Sequence, residues 1–227
     1  MMQFQSPDAD GMVTLQSGRP SVLKTGLPLL LFAGVWNAIT LGLIIGFSRA
    51  GKITGWMYLF FVPFVLVGLG TLIGGLYALT SAVLARAKVA EPVVRVSRQP
   101  LRLGESFRVL VSQYVKSPVR VTALRVRLQA REWVQYRRGT RDYTDKHTIH
   151  EQQATIVENV DARPAQPLTG QCQFTIPIDS MHSFQAPDNR IEWHLEVRTE
   201  IPQWPDYCAQ YPLVVIPRLV PVGGDTS

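Results

Sequence analysis

His147 and His150 are the first residues to test for chemistry, because H-x-x-H beside Asp142 and Asp145 could hold a metal ion. On a helix that spacing would put both imidazoles on one face. Here the stretch reads as a hairpin loop entering a strand, with no cysteine or third histidine near, so surface histidines are expected. His194 alternates onto the polar face of a strand and His182 falls in a loop; neither has a neighbour that would complete a triad. The chain has no G-x-S-x-G, P-loop or dinucleotide glycine motif. Neither catalysis, a cofactor nor a metal is therefore expected.

Three other groups could recognise a partner. Arg120, Arg125, Arg127, Arg131, Arg137, Arg138 and Arg141 crowd a short stretch in which Glu132 and Asp142 are the acidic neighbours. Arg125, Arg127 and Arg131 share one strand face, so two readings stay open. They pair across strands with Glu192, Glu196 and Glu200, or with Arg137 and Arg138 they meet anionic lipid or a partner. Aromatic residues do not interleave with them as a nucleic-acid stacking platform requires. Trp204 and Tyr207 flank Pro205 in a surface connection, where they either anchor a partner or cap the core. Cys172 and Cys208 are too few for a disulfide scaffold; they would be reduced thiols in the cytoplasm and could pair outside it.

The elements that position these residues fall into two unlike halves of a 227-residue chain with 46% apolar residues and net charge +6. No charge lies between Lys24 and Arg49, or between Lys52 and Arg86. A span needs about 20 apolar residues, which places membrane helices at 27–47 and 56–79, the second continuing to about residue 85. The short connection makes them an antiparallel hairpin within 25–90. A signal peptide is the competing reading of the first stretch, but its apolar run is longer than a signal needs.

Gly34, Ala38, Gly42 and Gly46, and then Gly70, Gly74, Ala78 and Ala82, recur every four residues. Such small-residue faces let helices approach closely in lipid. Their depths overlap at only one end of a hairpin, so at least one should meet a second copy or another membrane protein. Asn37 near mid-membrane is expected to bond between helices. Arg49 and Lys52 lie in the connection, against Arg19, Lys24, Arg86, Lys88, Arg95, Arg98 and Arg102 on the other side. That bias places both termini in the cytoplasm and the protein in the inner membrane.

From Pro92 onward the apolar period becomes two. Ile191, Trp193, Leu195, Val197 and Ile201 alternate with polar residues, as do Phe107, Val109 and Val111. Val119 and Val121 change parity relative to Leu124, Val126 and Leu128, which predicts a bulge near Thr122-Ala123. Seven or eight strands over 91–218 predict an antiparallel β-sandwich. Residues 1–24 should be unstructured, and 219–227 a polar tail.

The segments Phe174-Thr-Ile-Pro-Ile-Asp, Ser183-Phe184, Ile191-Glu-Trp-His-Leu-Glu-Val, Trp204-Pro-Asp-Tyr and Tyr211-Pro-Leu-Val-Val-Ile-Pro resemble the strand pattern of arrestin-like (immunoglobulin-like) β-sandwich domains. The whole chain resembles uncharacterised bacterial membrane proteins that join a two-span hairpin to such a domain. The resemblance implies a non-enzymatic adaptor or scaffold, with the bilayer and a protein as partners. Two alternatives are a small oligomeric channel or transport accessory, and an extracytoplasmic envelope protein with a Cys172–Cys208 bond.

Overall fold

A computed structural model describes residues 10–18, 22–51 and 55–218. Two N-terminal helices are followed by an all-β domain with several sheets. The chain divides into two units, Pro20–Arg86 and the remainder. The division lies four residues before the expected one, because the helix exit already pairs with the β unit. Val89 bridges Val115, and the amide of Ala90 donates to the carbonyl of Tyr114 (2.8 Å).

The β unit begins with an unexpected strand, β1 (Val13–Leu15), in a region read as unstructured. Three residues are too few to display an alternation in sequence. Val13 and Leu15 nonetheless bury their side chains and pair with Val96 and Val94. Residues 1–9 and 19–21, expected to be unstructured, and 219–227, expected to be a polar tail, lie outside the described residues.

The helices are α1 (Val22–Arg49) and α2 (Met57–Lys88), both long and apolar enough to cross a membrane. α1 starts earlier than the apolar window, so Pro28 lies inside the helix.

Ten further strands follow: β2 (Val93–Val96), β3 (Leu101–Arg102), β4 (Ser106–Gln113), β5 (Val119–Arg138), β6 (Arg141–Ala162), β7 (Leu168–Thr175), β8 (Phe184–Gln185), β9 (Asn189–Glu200), β10 (Tyr207–Leu213) and β11 (Val215–Ile216). The first sheet runs β1-β2-β4-β7; the second runs β10-β9-β5-β6, with β8 paired to β9 beyond the end of β10. These pairs are antiparallel. β3 and β11 pair in parallel, a departure from the all-antiparallel expectation. The three two-residue strands, β3, β8 and β11, raise the count above eight.

The core forms where the inward parities of the two sheets meet. Val94, Val96, Phe107, Val109, Val111 and Phe174 face Leu124, Val126, Leu128, Trp193, Leu195 and Val197, all nearly inaccessible. A polar link crosses this layer: the Thr199 hydroxyl donates to Gln113 Oε1 (2.6 Å), and Gln113 Nε2 donates to the Ala90 carbonyl (2.9 Å). Both side chains are fully buried, so each needs its bond.

The parity change in β5 occurs at Ala123 and Leu124, both buried. One register shift lies between Leu124 and Arg125, with Ile156 of β6 the unmatched residue, and a second lies between Ala130 and Arg131. The bulge is thus on the partner strand. β6 already begins at Arg141, so the anticipated loop around Asp142, Asp145 and His147 is strand. β5 and β6 form one long hairpin closed by Gly139-Thr140. Gly139, at φ +66°, takes the first turn position, where a glycine is favoured.

Candidate functional site

In the helical unit, the inward side of α1 contains Gly26, Leu30, Ala33, Asn37 and Thr40, alternating steps of four and three residues. That period is the seam of two helices packed at a shallow angle. On α2 it meets Phe61, Gly68 and Gly75. A Cβ at Gly75 would come 2.9 Å from Leu30 Cδ2, and one at Gly68 would overlap Asn37 Oδ1. Asn37 Nδ2 donates to the carbonyls of Ala33 (2.7 Å) and Gly68 (3.1 Å), a local bond and a bond between helices. Trp36 Nε1 donates to the Phe64 carbonyl (2.8 Å), and its ring stacks on Phe32 and Phe64.

Gly34, Gly42, Gly46, Gly70 and Gly74 are not on this seam: nothing among the described residues lies within 4 Å of a Cβ built on any of them. Ala38 is exposed and Ala78 half-buried; the Ala82 side chain lies outside the described residues. Sequence reading named the four-residue stripes and missed Gly26, Gly68 and Gly75. The 4-3 spacing of the α1 seam, with Gly68 and Gly75 one heptad apart, was the available signal.

In the β unit, the outward face of β5 presents Arg125, Arg127, Gln129, Arg131, Trp133, Gln135 and Arg137 at alternate positions. Toward the end where the chain enters from α2, this face is neutralised. Arg125 pairs with Glu200, and Arg127 lies 3.5 Å from Glu151 and 4.0 Å from Glu196. Gln129 donates to Glu151 (2.7 Å), while its Oε1 accepts from Arg131 (2.7 Å) and faces His194 Nε2 at 3.1 Å. Of the two open readings, Arg125 and Arg127 thus take the cross-strand one: their charges are paired with carboxylates of neighbouring strands. Arg131 is tied to Gln129.

His194 is not a wet-face residue either. Gln129 and its neighbours cover it to 8% exposure. Burial, then the Arg131 charge, push its pKa down to about 4, against a smaller opposing pull from Glu196. It is therefore neutral at pH 7, with Nε2 carrying the hydrogen that Gln129 Oε1 accepts.

A groove of about 320 Å³ opens beside it, where β10 ends and β8 begins along β9. Its polar side has Arg131, Arg190, Glu192 and His194, and its apolar side Phe184, Pro212 and Leu213. At one end stands Trp133, clamped between Lys146 Nζ, 4.2 Å from the ring centroid, and the Arg190 guanidinium at 4.3 Å. Trp133 Nε1 and Asn189 Oδ1 are buried without a hydrogen-bond partner among the described residues. Beyond Val134 and Asn189, where pairing of β5 to β9 stops, β5 and β6 continue as an exposed ribbon. It carries the stacked pair Tyr136–Tyr143 (5.7 Å) and the directly opposed pair Arg138–Arg141. Arg137 and Arg138 lie here, exposed.

His147 is exposed on β6, and His150 packs its ring on Trp193 (5.8 Å). Among the described residues no group of three or more potential metal ligands gathers. Tyr207 is buried at the start of β10, which corrects its placement on a partner surface. Trp204 is half-buried beneath the ammonium of Lys88, 4.6 Å from its ring. Cys172 is half-buried on the inward parity of β7, and Cys208 lies on the outward face of β10, with a full sheet between them. Burial raises both thiols to about 11, so neither is an activated nucleophile.

No protein-family model and no curated protein sequence matches the chain. Among solved structures it is similar to Spo0M, a sporulation control protein from Bacillus subtilis, at 15% identity and a TM-score of 0.46. The similarity covers 56% of this chain and 49% of that one, so the chain spans about half the length of the structure it matches.

Proposed function

We propose that the protein is a membrane-anchored, non-enzymatic adaptor: the α1–α2 hairpin spans the inner membrane and holds an arrestin-like β domain in the cytoplasm, where it engages a protein partner. The observation that carries the reading is the outer surface of the helical unit. Leu31, Phe32, Val35 and Ile39 on α1, and Leu59, Phe60, Leu66 and Ile73 on α2, are exposed large apolar side chains. Water would penalise such a continuous patch, whereas lipid matches it. The excess of Arg and Lys flanking the two outer helix ends supports cytoplasmic termini. In the β unit, a groove of mixed apolar and charged lining suits recognition of another protein.

Alkaline carbonate extraction, combined with C-terminal fusions to alkaline phosphatase and to green fluorescent protein, tests this. The expected result is a chain retained in the membrane pellet, fluorescent and without phosphatase activity. Release into the supernatant would remove the anchor, and an active phosphatase would move the β domain to the other side.

A further inference from the structure

The cations of the β5–β6 hairpin divide into two sets. Toward the entry from α2, Arg125 and Arg127 have carboxylate partners. On the ribbon, Arg137, Arg138, Arg141 and Lys146 make no ion pair among the described residues. Arg138 and Arg141 even stand directly opposite each other, an arrangement that costs free energy until an anion relieves it. On the outward face, Arg131, Arg190, Lys146 and Arg137 follow one another from the groove onto the ribbon, with Glu192 and Asp142 beside them. Glu192 lies 3.1 Å from Arg190 Nε. The track is positive overall but interrupted.

The geometry points to this groove and the adjoining ribbon as the binding site for an acidic peptide segment of a protein partner. Carboxylates of the peptide meet Arg190, Lys146 and Arg137. An apolar side chain fills the 320 Å³ groove against Phe184, Pro212 and Leu213.

A nucleic acid fits less well for two reasons. A polyanion with closely spaced charges would be pressed against Glu192 and Asp142. Single strands bind on free ring faces, yet Lys146 and Arg190 already lie over the Trp133 ring, and Tyr136 and Tyr143 stack on each other. An acidic peptide needs no stacking platform and tolerates interspersed carboxylates.

The inference rests on the adaptor reading and deepens it. The test uses the full chain in lipid nanodiscs and a fluorescein-labelled ten-residue peptide of alternating glutamate and leucine. Its counterpart with lysine for glutamate and a ten-nucleotide oligothymidylate serve as competitors. Fluorescence anisotropy should show the acidic peptide binding, neither competitor displacing it, and affinity falling with added salt. The double variant Lys146→Glu and Arg137→Glu, at exposed ribbon positions, should weaken binding at least tenfold without shifting the melting temperature. Arg108→Glu, on the outward face of β4, should leave affinity unchanged. Absence of peptide binding, indifference to the ribbon variant, equal binding of the lysine peptide, or preferential binding of the oligonucleotide would each overturn the proposal. A partner photo-crosslinked in cells at Trp204 but never at Trp133 would overturn it while leaving the adaptor reading intact. Release by carbonate extraction would end the adaptor reading but not the peptide measurement.

Discussion

At the scale of single residues, Asn37 and Gly68 act as one unit. The amide reaches the Gly68 carbonyl because no side chain stands between them. Gly68→Ala would force Asn37 to rotate away, losing the same interhelical bond that Asn37→Leu removes. Each substitution should cost about 1 kcal/mol, the scale measured for hydrogen bonds between membrane helices, and the double variant should cost much less than the sum. Unfolding of the hairpin by detergent titration, followed by helical circular dichroism, reads this; full additivity would show that the two residues do not share a contact.

His194 yields a second expectation, in pH. Its folded pKa of about 4 lies below the 6.5 of an exposed histidine. Between those values the unfolded chain binds a proton that the folded chain does not. Stability is therefore unaffected above about pH 6.5 and declines as pH falls toward 4. The loss is on the order of 3 kcal/mol at most. Melting temperatures at pH 7 and pH 4.5 should differ by less in His194→Gln than in the parent. An equal pH dependence in both would assign the effect to other groups.

At the scale of elements, the bulge in β6 and a glycine in β7 fit one another. The extra residue Ile156 pushes toward Gly170, where a Cβ would lie 3.0 Å from Ile156 Cβ and 3.1 Å from its carbonyl oxygen. Gly170→Val should destabilise the β domain by about 1–3 kcal/mol, the usual cost of overpacking. Chemical denaturation checks this, and a neutral result would mean that β6 can withdraw. In the helices, nothing among the described residues lies within 4 Å of a Cβ built on Gly34, Gly42 or Gly46, and Ala38 of the same stripe is exposed. If self-association runs through it, Gly42→Leu with Gly46→Leu should reduce the crosslinked oligomer severalfold and leave the monomer's helicity unchanged. An unchanged crosslinking pattern would remove this face from the assembly.

The alternating runs around Phe107–Val111, Val119–Leu128 and Ile191–Ile201 become strands, because residues such as Ile191, Trp193, Leu195 and Val197 reveal a half-buried strand in sequence. β1 and the first eight residues of β6 were not legible. β1 is too short to show a period. Residues 141–148 are polar on both faces because their ribbon projects beyond the core, so no alternation marks them.

At the scale of the whole molecule, the fold changes what the cysteines can report. Sequence alone made Cys172 and Cys208 a test of compartment, since an oxidising space would link them. With Cys172 on the inward face of one sheet and Cys208 on the outward face of the other, the pair cannot close without unfolding. The monomer should run identically on non-reducing gels before and after reduction, on either side of a membrane. A reducible shift in monomer mobility would contradict the strand arrangement. Topology must therefore be read from fusions, not from thiols.

Sequence by itself determined the division into an apolar helical half and an alternating β half. Charge-free length and a two-residue period are local patterns, set by whether side chains meet lipid-like surroundings or a one-sided core. Only the tertiary structure decided which cations are free. Arg125 and Arg137 look alike along the chain. One lies where β9 brings Glu200 against it, and the other lies beyond the last β9 pair, on a ribbon where no strand supplies a carboxylate within ion-pair distance. That difference comes from strand register, which joins residues far apart in sequence and leaves no local trace.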